Sequence, residues 1–395
     1  MRLPIFRVMR YIKLATLSLL FSLSACVYEP EQFVEPETDS FSIRKENVPW
    51  GGRLFAINEG KQICNPSVSQ DTVNYPASML WLNFGGKLYV NPPDSVYTTS
   101  KVIQHDRLSV SDTTGAILWY LMRDTKAGDC QFQDPEWSTH PNFIVALRAF
   151  DVDGKANCEN MNYGLMAVRM SDKKKFFFYD KDMSEFATPH LWVEPGAESS
   201  AKDSTVEGFF GTKQVRLVYV NTDDKIVFVD YANGGVPKTL KKASDVQDWM
   251  LDSPLISPDG KFVTYNAINS SMTGWKSYVQ ALSENSTPVE IEKVDKMISE
   301  PVQPHWFSSR GKLYIVWTEF PQGSQFVNKS DLFASSVHGG SAGRTAMREV
   351  SIEGNSVSLK GSVTELAPIP LIGGRSPDGR FVASGTNNGY LLQIP

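Results

Sequence analysis

From residue 49 onward the chain reads as short apolar runs separated by the turn formers Gly, Pro, Asn, Asp and Ser. Phe143 to Phe150, Leu165 to Met170 and Phe176 to Tyr179 form one succession. Val215 to Val220 and Ile226 to Asp230 form another, joined by Asn221-Thr-Asp-Asp-Lys225. Runs of this length predict β-strands paired as hairpins. A sheet of four such strands cannot bury both of its faces alone, so the sheets have to stack on one another.

A repeat organises these strands. Ile256 to Thr264 (ISPDGKFVT) and Arg375 to Ala383 (RSPDGRFVA) are near copies. In each, a turn precedes an alternating strand: Ser257, Pro258, Asp259 and Gly260 in the first, Ser376, Pro377, Asp378 and Gly379 in the second. Pro presets φ at the second turn position, Asp caps the turn through its side chain, and Gly accepts a positive φ or a close approach at the exit. Degenerate versions follow Trp81-Leu82, Trp137-Ser138, Leu191-Trp192-Val193 and Phe307-Ser308, which places anchors at positions 82, 138, 193, 257, 308 and 376. The third lacks the Ser-Pro-Asp-Gly turn and runs into a polar stretch from 194 to 208.

An aromatic residue, then Ser-Pro-Asp-Gly, then a strand resembles the TolB-type, WD40-like propeller repeat. The resemblance implies an all-β fold, a six-bladed β-propeller of four short strands per blade. Trp137, Trp192 and Phe307 are expected to pack between blades. Only 19 residues follow Ser376, which leaves room for two strands, near Arg380 to Ser384 and Tyr390 to Ile394. The segments Arg53 to Ile57 and Gln62 to Cys64 are therefore expected to complete the last blade, closing the ring and removing open sheet edges. The stretch from Asn58 to Gly86 also resembles a paralogous family of propeller lipoproteins expanded in fibre-digesting gut bacteria, for which no biochemical role carries over.

The N-terminus sets the expected compartment. Residues 1 to 13 hold Arg2, Arg7, Arg10 and Lys13 with no acid, and residues 14 to 25 (LATLSLLFSLSA) are an apolar run too short to span a bilayer. This predicts a secretory signal peptide over 1–25. Leu23-Ser24-Ala25-Cys26 resembles a bacterial lipobox, which implies cleavage between Ala25 and Cys26, lipidation of Cys26 with palmitate-type chains, and, from Val27 at the next position, sorting to the outer membrane. Multiple acyl chains give anchoring that one chain cannot. Residues 26–48 combine the lipidated Cys with an acidic, Pro-containing tether, and 49–395 form the propeller domain.

The chain has 395 residues, with 39 Lys plus Arg against 44 Asp plus Glu. Losing the four basic residues of the signal changes the balance from −5 to −9, since 35 minus 44 is −9. No basic footprint for a phosphate backbone exists, so nucleic acid is not an expected partner. With 41% hydrophobic residues the chain can build a large core. Three cysteines remain after Cys26, in an oxidising compartment. Cys130 and Cys158 flank one blade and are the expected pair, with three inert thiols as the alternative.

Reactive chemistry is sparse. Gly339-Gly-Ser341-Ala-Gly343 matches a GxSxG elbow, but no His follows His338, so the order an α/β-hydrolase needs is missing. Asp151-Val-Asp153-Gly154 carries oxygen ligands without the EF-hand spacing. His105, His140, His190, His305 and His338 show no metal spacing. No metal or cofactor is expected. The expected function is therefore a non-enzymatic, outer-membrane-anchored propeller that binds an envelope protein, peptide or glycan through its channel mouth or through the longer loops 194–212 and 338–362. The alternative is an extracytoplasmic carbohydrate-active enzyme, a glycoside hydrolase or lyase with paired carboxylates, which sequence spacing alone does not reveal. Replacing Cys26 by Ala should abolish incorporation of radiolabelled palmitate and release the protein from the membrane fraction; retention without an acyl group would refute the anchor.

Overall fold

The computed structural model describes residues 53–56, 64–82, 105–154, 158, 160–198, 203–271, 274–292, 299–321, 344–367, 374, 379–384 and 390–394. Contacts divide the chain into Met1–Asp39 and Ser40–Pro395, and every described residue belongs to the second unit. Ala25, Cys26 and the tether lie outside the described residues, as do Ser376, Pro377, Asp378 and the run 339–343.

The second unit is all-β apart from short helical turns. After β1 (Arg53–Ala56) come β2 (Cys64–Val68), β3 (Met79–Leu82), β4 (Arg107–Ser111) and β5 (Ile117–Met122), which form a first four-stranded antiparallel sheet in that order. The second sheet is β6 (Asp129–Trp137), β7 (Phe143–Asp151), β8 (Met161–Arg169) and β9 (Lys175–Tyr179). β10 (His190–Val193) leads the third sheet, and helix α1 (Val206–Phe210) intervenes before β11 (Val215–Val220), β12 (Ile226–Asp230) and β13 (Lys238–Thr239). The fourth holds β14 (Met250–Ile256), β15 (Phe262–Ile268), β16 (Trp275–Ala281) and β17 (Val289–Glu290). β18 (Ser299–Ser309), β19 (Lys312–Pro321), β20 (Arg344–Glu353) and β21 (Ser356–Ala367) make the fifth. β22 (Phe381–Ser384) and β23 (Tyr390–Gln393) pair with each other, and β1 adds to β23 with Arg53 opposite Gln393 and Ala56 opposite Tyr390.

Alternation along the strands explains why these sheets associate. On β7, Phe143, Val145 and Leu147 enter one core with β10 and β11 residues, whereas Ile144 and Ala146 enter another with Leu80, Leu108 and Val110 of the first sheet. β11 and β12 divide in the same way. Leu217, Tyr219, Val227 and Val229 face the second sheet, while Val218, Val220, Ile226 and Phe228 meet Ile256, Val263 and Tyr265 of the fourth. Both faces of one sheet are thus removed from water by two different neighbours, and each fully buried aliphatic or aromatic side chain contributes about 1.5–3 kcal/mol. Leu391 of β23 joins Val68, Met79 and Trp81 of the first sheet, and β22 packs against β2.

Three expectations need correction. Cys64 does not join β1 beside the last strands: Cys64–Val68 pairs with β3 and opens the first sheet, so among the described residues β1 alone is added to β23, while Gln62 and Ile63 lie outside the described residues. The anchor at Trp81-Leu82 is out of phase. It sits on the second strand of its sheet, whereas Trp137 and Trp192 end or lie in leading strands, because the turn after β2 is a ten-residue polar loop that hides the repeat. Nor are the described parts of 194–212 and 338–362 simply loops. Phe209 and Phe210 of α1 are fully buried, with Thr205 Oγ1 capping the helix at Gly208 N–H (3.0 Å), and β20 and β21 occupy most of the second segment.

Ser257 and Asp259 close the β14–β15 turn. Ser257 Oγ donates to Asp259 Oδ1 (2.5 Å) and accepts from Phe262 N–H (3.0 Å), and Asp259 accepts from Lys261 N–H (3.1 Å). A Cβ on Gly260 (φ +74°) would lie 2.6 Å from the Trp192 indole, so this turn seats against the third sheet only with glycine. Gly379 (φ +69°) is placed likewise against the Ser308 carbonyl of β18. Gly354 has a similar φ of +62° with open space around it. Gly354→Ala should therefore cost only the left-handed backbone penalty, about 1 kcal/mol, and Gly379→Ala at least twice that. Equal losses in urea unfolding would contradict the close approach.

Candidate functional site

The leading strands lie side by side in chain order: β2 touches β6, β6 touches β10, β10 touches β14 and β14 touches β18. Four of them carry the same local distortion, and β10 is preceded by it. Asn65, Asp134, Thr188, Ser253 and Gln303 are non-glycine residues with positive φ, between 39° and 52°, and each precedes a proline. Proline has no N–H to give the strand pairing and steers the preceding residue away from the right-handed helical region. Pairing registers accordingly slip between Cys64 and Ser67, Gln133 and Glu136, Asp252 and Leu255, and Val302 and His305. A left-handed non-glycine residue costs about 1–2 kcal/mol, which surrounding contacts must offset.

Those contacts cross between sheets. Asn65 Nδ2 donates to Asp134 Oδ1 (2.5 Å), and Ser67 Oγ donates to Glu136 Oε1 (2.6 Å) while accepting from Trp137 N–H (2.9 Å). Gly374 belongs to the same meeting point. A Cβ there would lie 2.8 Å from Val68 N and 3.5 Å from Glu136 Oε1. Farther along, Ser253 N–H donates to Thr188 Oγ1 (3.1 Å) and Ile256 N–H to His190 Nδ1 (3.0 Å), tying β14 to β10. Asn266 Oδ1 accepts from Gln303 N–H (2.8 Å), tying β18 to β15. Asn65 with Asp134, and Ser253 with Thr188, thus join neighbouring leading strands, Gln303 reaches the adjacent β15, and two carboxylates, Asp134 and Glu136, flank one proline.

Cys130 at the start of the β6 strand is disulfide-bonded to Cys158, with Cα atoms 5.6 Å apart. Asp151 spends both oxygens on its own loop, accepting from Asp153 N–H (2.9 Å) and Cys158 N–H (3.0 Å). Among the described residues no group of three His, Cys, Asp or Glu is arranged to hold a metal. His140 Nε2 donates to the Ala197 carbonyl (3.1 Å) and His305 Nδ1 to the Gln303 carbonyl (2.9 Å). Asn65, Ser67, Asp134 and Glu136 were not singled out by sequence reasoning. The available signal was the recurrence of a polar residue, Pro, any residue, an apolar residue and Ser: Asn65-Pro66-Ser67-Val68-Ser69, Asp134-Pro135-Glu136-Trp137-Ser138 and Ser253-Pro254-Leu255-Ile256-Ser257.

No protein-family model and no curated protein matches the sequence. Solved structures similar to the chain include an exo-1,5-alpha-L-arabinanase from a bovine ruminal metagenomic library, at 12% identity over 78% of this chain and 100% of that one, TM-score 0.37. An oligogalacturonate lyase in complex with manganese aligns over 90% of this chain and 96% of that one, at 9% identity and TM-score 0.40. A beta-fructofuranosidase of Bombyx mori aligns over 80% and 66%, at 12% and 0.37. These are propeller-type folds, and at these scores they assign no residue and no substrate to this chain. The expectation of a non-enzymatic binding propeller is nevertheless corrected here. The similar structures are mostly enzymes, an arabinanase, a lyase, an arabinofuranosidase and a fructofuranosidase, each at 12% identity or less and a TM-score of 0.40 or less.

Burial holds several histidines neutral. Desolvation pushes His190 down from 6.5 to about 3 and His105 to about 4, and lowers His140 as well. An unfolded histidine titrates near ~6.5, so below that pH the unfolded chain binds protons that the folded chain excludes. Stability is complete above pH ~6.5 and falls as pH drops toward the folded values. Urea unfolding should show a lower midpoint at pH 5 than at pH 7.5, and a midpoint equal or higher at pH 5 would contradict this burial.

Proposed function

We propose that this protein is a carbohydrate-active enzyme on a β-propeller scaffold, most specifically a glycoside hydrolase whose carboxylates are Asp134 and Glu136. One observation carries the reading: the left-handed Asp134-Pro135 bulge holds both acids at the junction of the leading strands, each fixed by a donor from the adjacent sheet. Both acids lie on one strand, two residues apart across Pro135, and the carboxyl pairs that cleave glycosidic bonds stand roughly 5–9.5 Å apart. One carboxylic acid would protonate the departing oxygen while the other either takes a proton from the water that attacks the anomeric carbon or attacks that carbon itself, forming an ester that water then hydrolyses. Asn65 and Ser67 would keep the pair from swinging away as substrate enters.

The scaffold in this reading is a six-bladed ring in which β1 completes the last blade. Support comes from the pairing of β1 with β23 and from the packing of β22 on β2. The reading also keeps the exported setting: Cys26 acylated, residues 27–48 as tether, and the domain held at the outer membrane where glycans are encountered.

Glu136→Gln and Asp134→Asn should each lower the turnover of a responsive polysaccharide by about 100-fold or more, with the thermal melting point unchanged. Release of reducing sugar from a panel of plant and bacterial polysaccharides measures this. A wild-type chain that cleaves none of them, or variants that retain the full rate, would overturn the assignment.

A further inference from the structure

We propose a second, non-catalytic glycan-binding subsite, specific for neutral sugars, in the cleft between the outer part of the second sheet and the β11–β12 turn; it rests on the enzymatic reading above only for the nature of the polymer. The cleft has a volume of about 770 Å³, the size of a site for a few sugar rings. Its wall is a braced aromatic. Phe177 on β9 is 40% exposed, and the Arg148 guanidinium, 5.5 Å from its ring centroid, also lies 4.6 Å over Phe150. Arg148 is itself fixed by Asp129 and by donation to the Ala127 carbonyl (2.7 Å). Burial raises the Asp129 carboxyl, but the Asp124 N–H, Lys175 and Arg148 overcome that and hold it below the usual range. A large apolar ring kept rigid at the surface is a platform rather than a core residue out of place.

The floor and rim complete the argument. Tyr179 and Tyr219 meet edge to face at 5.5 Å, and the floor they form is rigid because Tyr219 is buried. Around them stand short polar groups. Asn221 Oδ1 accepts from Asp223 N–H (3.1 Å) and Lys225 N–H (3.0 Å), which orients the amide and leaves its Nδ2 as a donor. Thr222 and Ser184 add hydroxyls. The charges balance: Arg148 and Lys181 against Asp180 and Asp182. A cleft with no net charge gives no preference to a uronate or a phosphate, whereas an aromatic face ringed by hydroxyl, amide and carboxylate groups matches a sugar's apolar C–H face and its ring of hydroxyls. Asp129 lies on the same strand as Asp134 and Glu136, so the platform is tied to the strand that carries the proposed acids.

The test is binding, read apart from hydrolysis. The full chain in a mild detergent is run on native gels containing xylan, arabinan, galactomannan or mixed-linkage β-glucan, and on gels containing polygalacturonate. At least one neutral polymer should retard the protein more than polygalacturonate does. Phe177→Ala should weaken that retardation about tenfold, and Phe177→Leu, which keeps an apolar side chain without a π-face, should weaken it too, both at unchanged melting temperature. Glu136→Gln should leave it intact. Retardation that Phe177→Ala leaves unchanged, in a chain that does hydrolyse polysaccharide, would overturn the subsite alone, and retardation that depends on Phe177 in a chain that hydrolyses nothing would overturn the enzymatic reading alone. No retardation by any neutral polymer, or a preference for polygalacturonate, would also overturn the subsite.

Discussion

Two-sided burial governs this molecule. The first four sheets each alternate apolar side chains to both faces, and neither face can be left to water, so each is usable only with a neighbour on either side. This requirement, rather than any single bond, selects the order of packing. It also explains why polar residues concentrate in the turns and along the leading strands, where backbone from successive sheets comes together and hydrogen bonds can cross between them.

The leading strands show a trade between regular pairing and polar presentation. A continuous strand would pair along its whole length and present alternate side chains to its neighbours. A polar residue held left-handed before proline breaks that regularity in β2, β6, β14 and β18 and stands two residues ahead of β10, at a conformational cost that the cross-sheet hydrogen bonds of Asn65, Ser67, Thr188 and Asn266 offset. Strain repeated at equivalent positions points to a requirement of the architecture, and at one of the five it also brings two acids together. The proposed chemistry thus uses a device the scaffold already needs.

Much of the fold was legible because the hydrophobic pattern is local. Phe143 to Phe150, Val215 to Val220 and Ile226 to Asp230 are strands with nearly the bounds their alternation suggests. The β14–β15 turn follows from Ser257-Pro258-Asp259-Gly260 because that turn's chemistry lies within four residues. Sheet membership was harder. Whether Cys64 belongs with β23 or with β3 depends on long-range pairing, and nothing in Gln62-Ile63-Cys64 distinguishes the two. The candidate site was nearly invisible for the same reason. Asn65 and Asp134 are 69 residues apart, Ser67 and Glu136 likewise, and only packing of two sheets turns four ordinary polar residues into a constellation. The recurring polar-Pro dipeptide was there to be read, but as a pattern of breaks in strands, which alternation-based reading discards.

Amide hydrogen exchange on β1 is the most direct test of the central claim that neighbouring sheets, the last and first included, share one cooperative structure. The account predicts that the amides of β1 bonded to β23 exchange as slowly as those of β11, through unfolding of the whole domain. Exchange of β1 at the rate of an unpaired segment, while β11 stays protected, would contradict it.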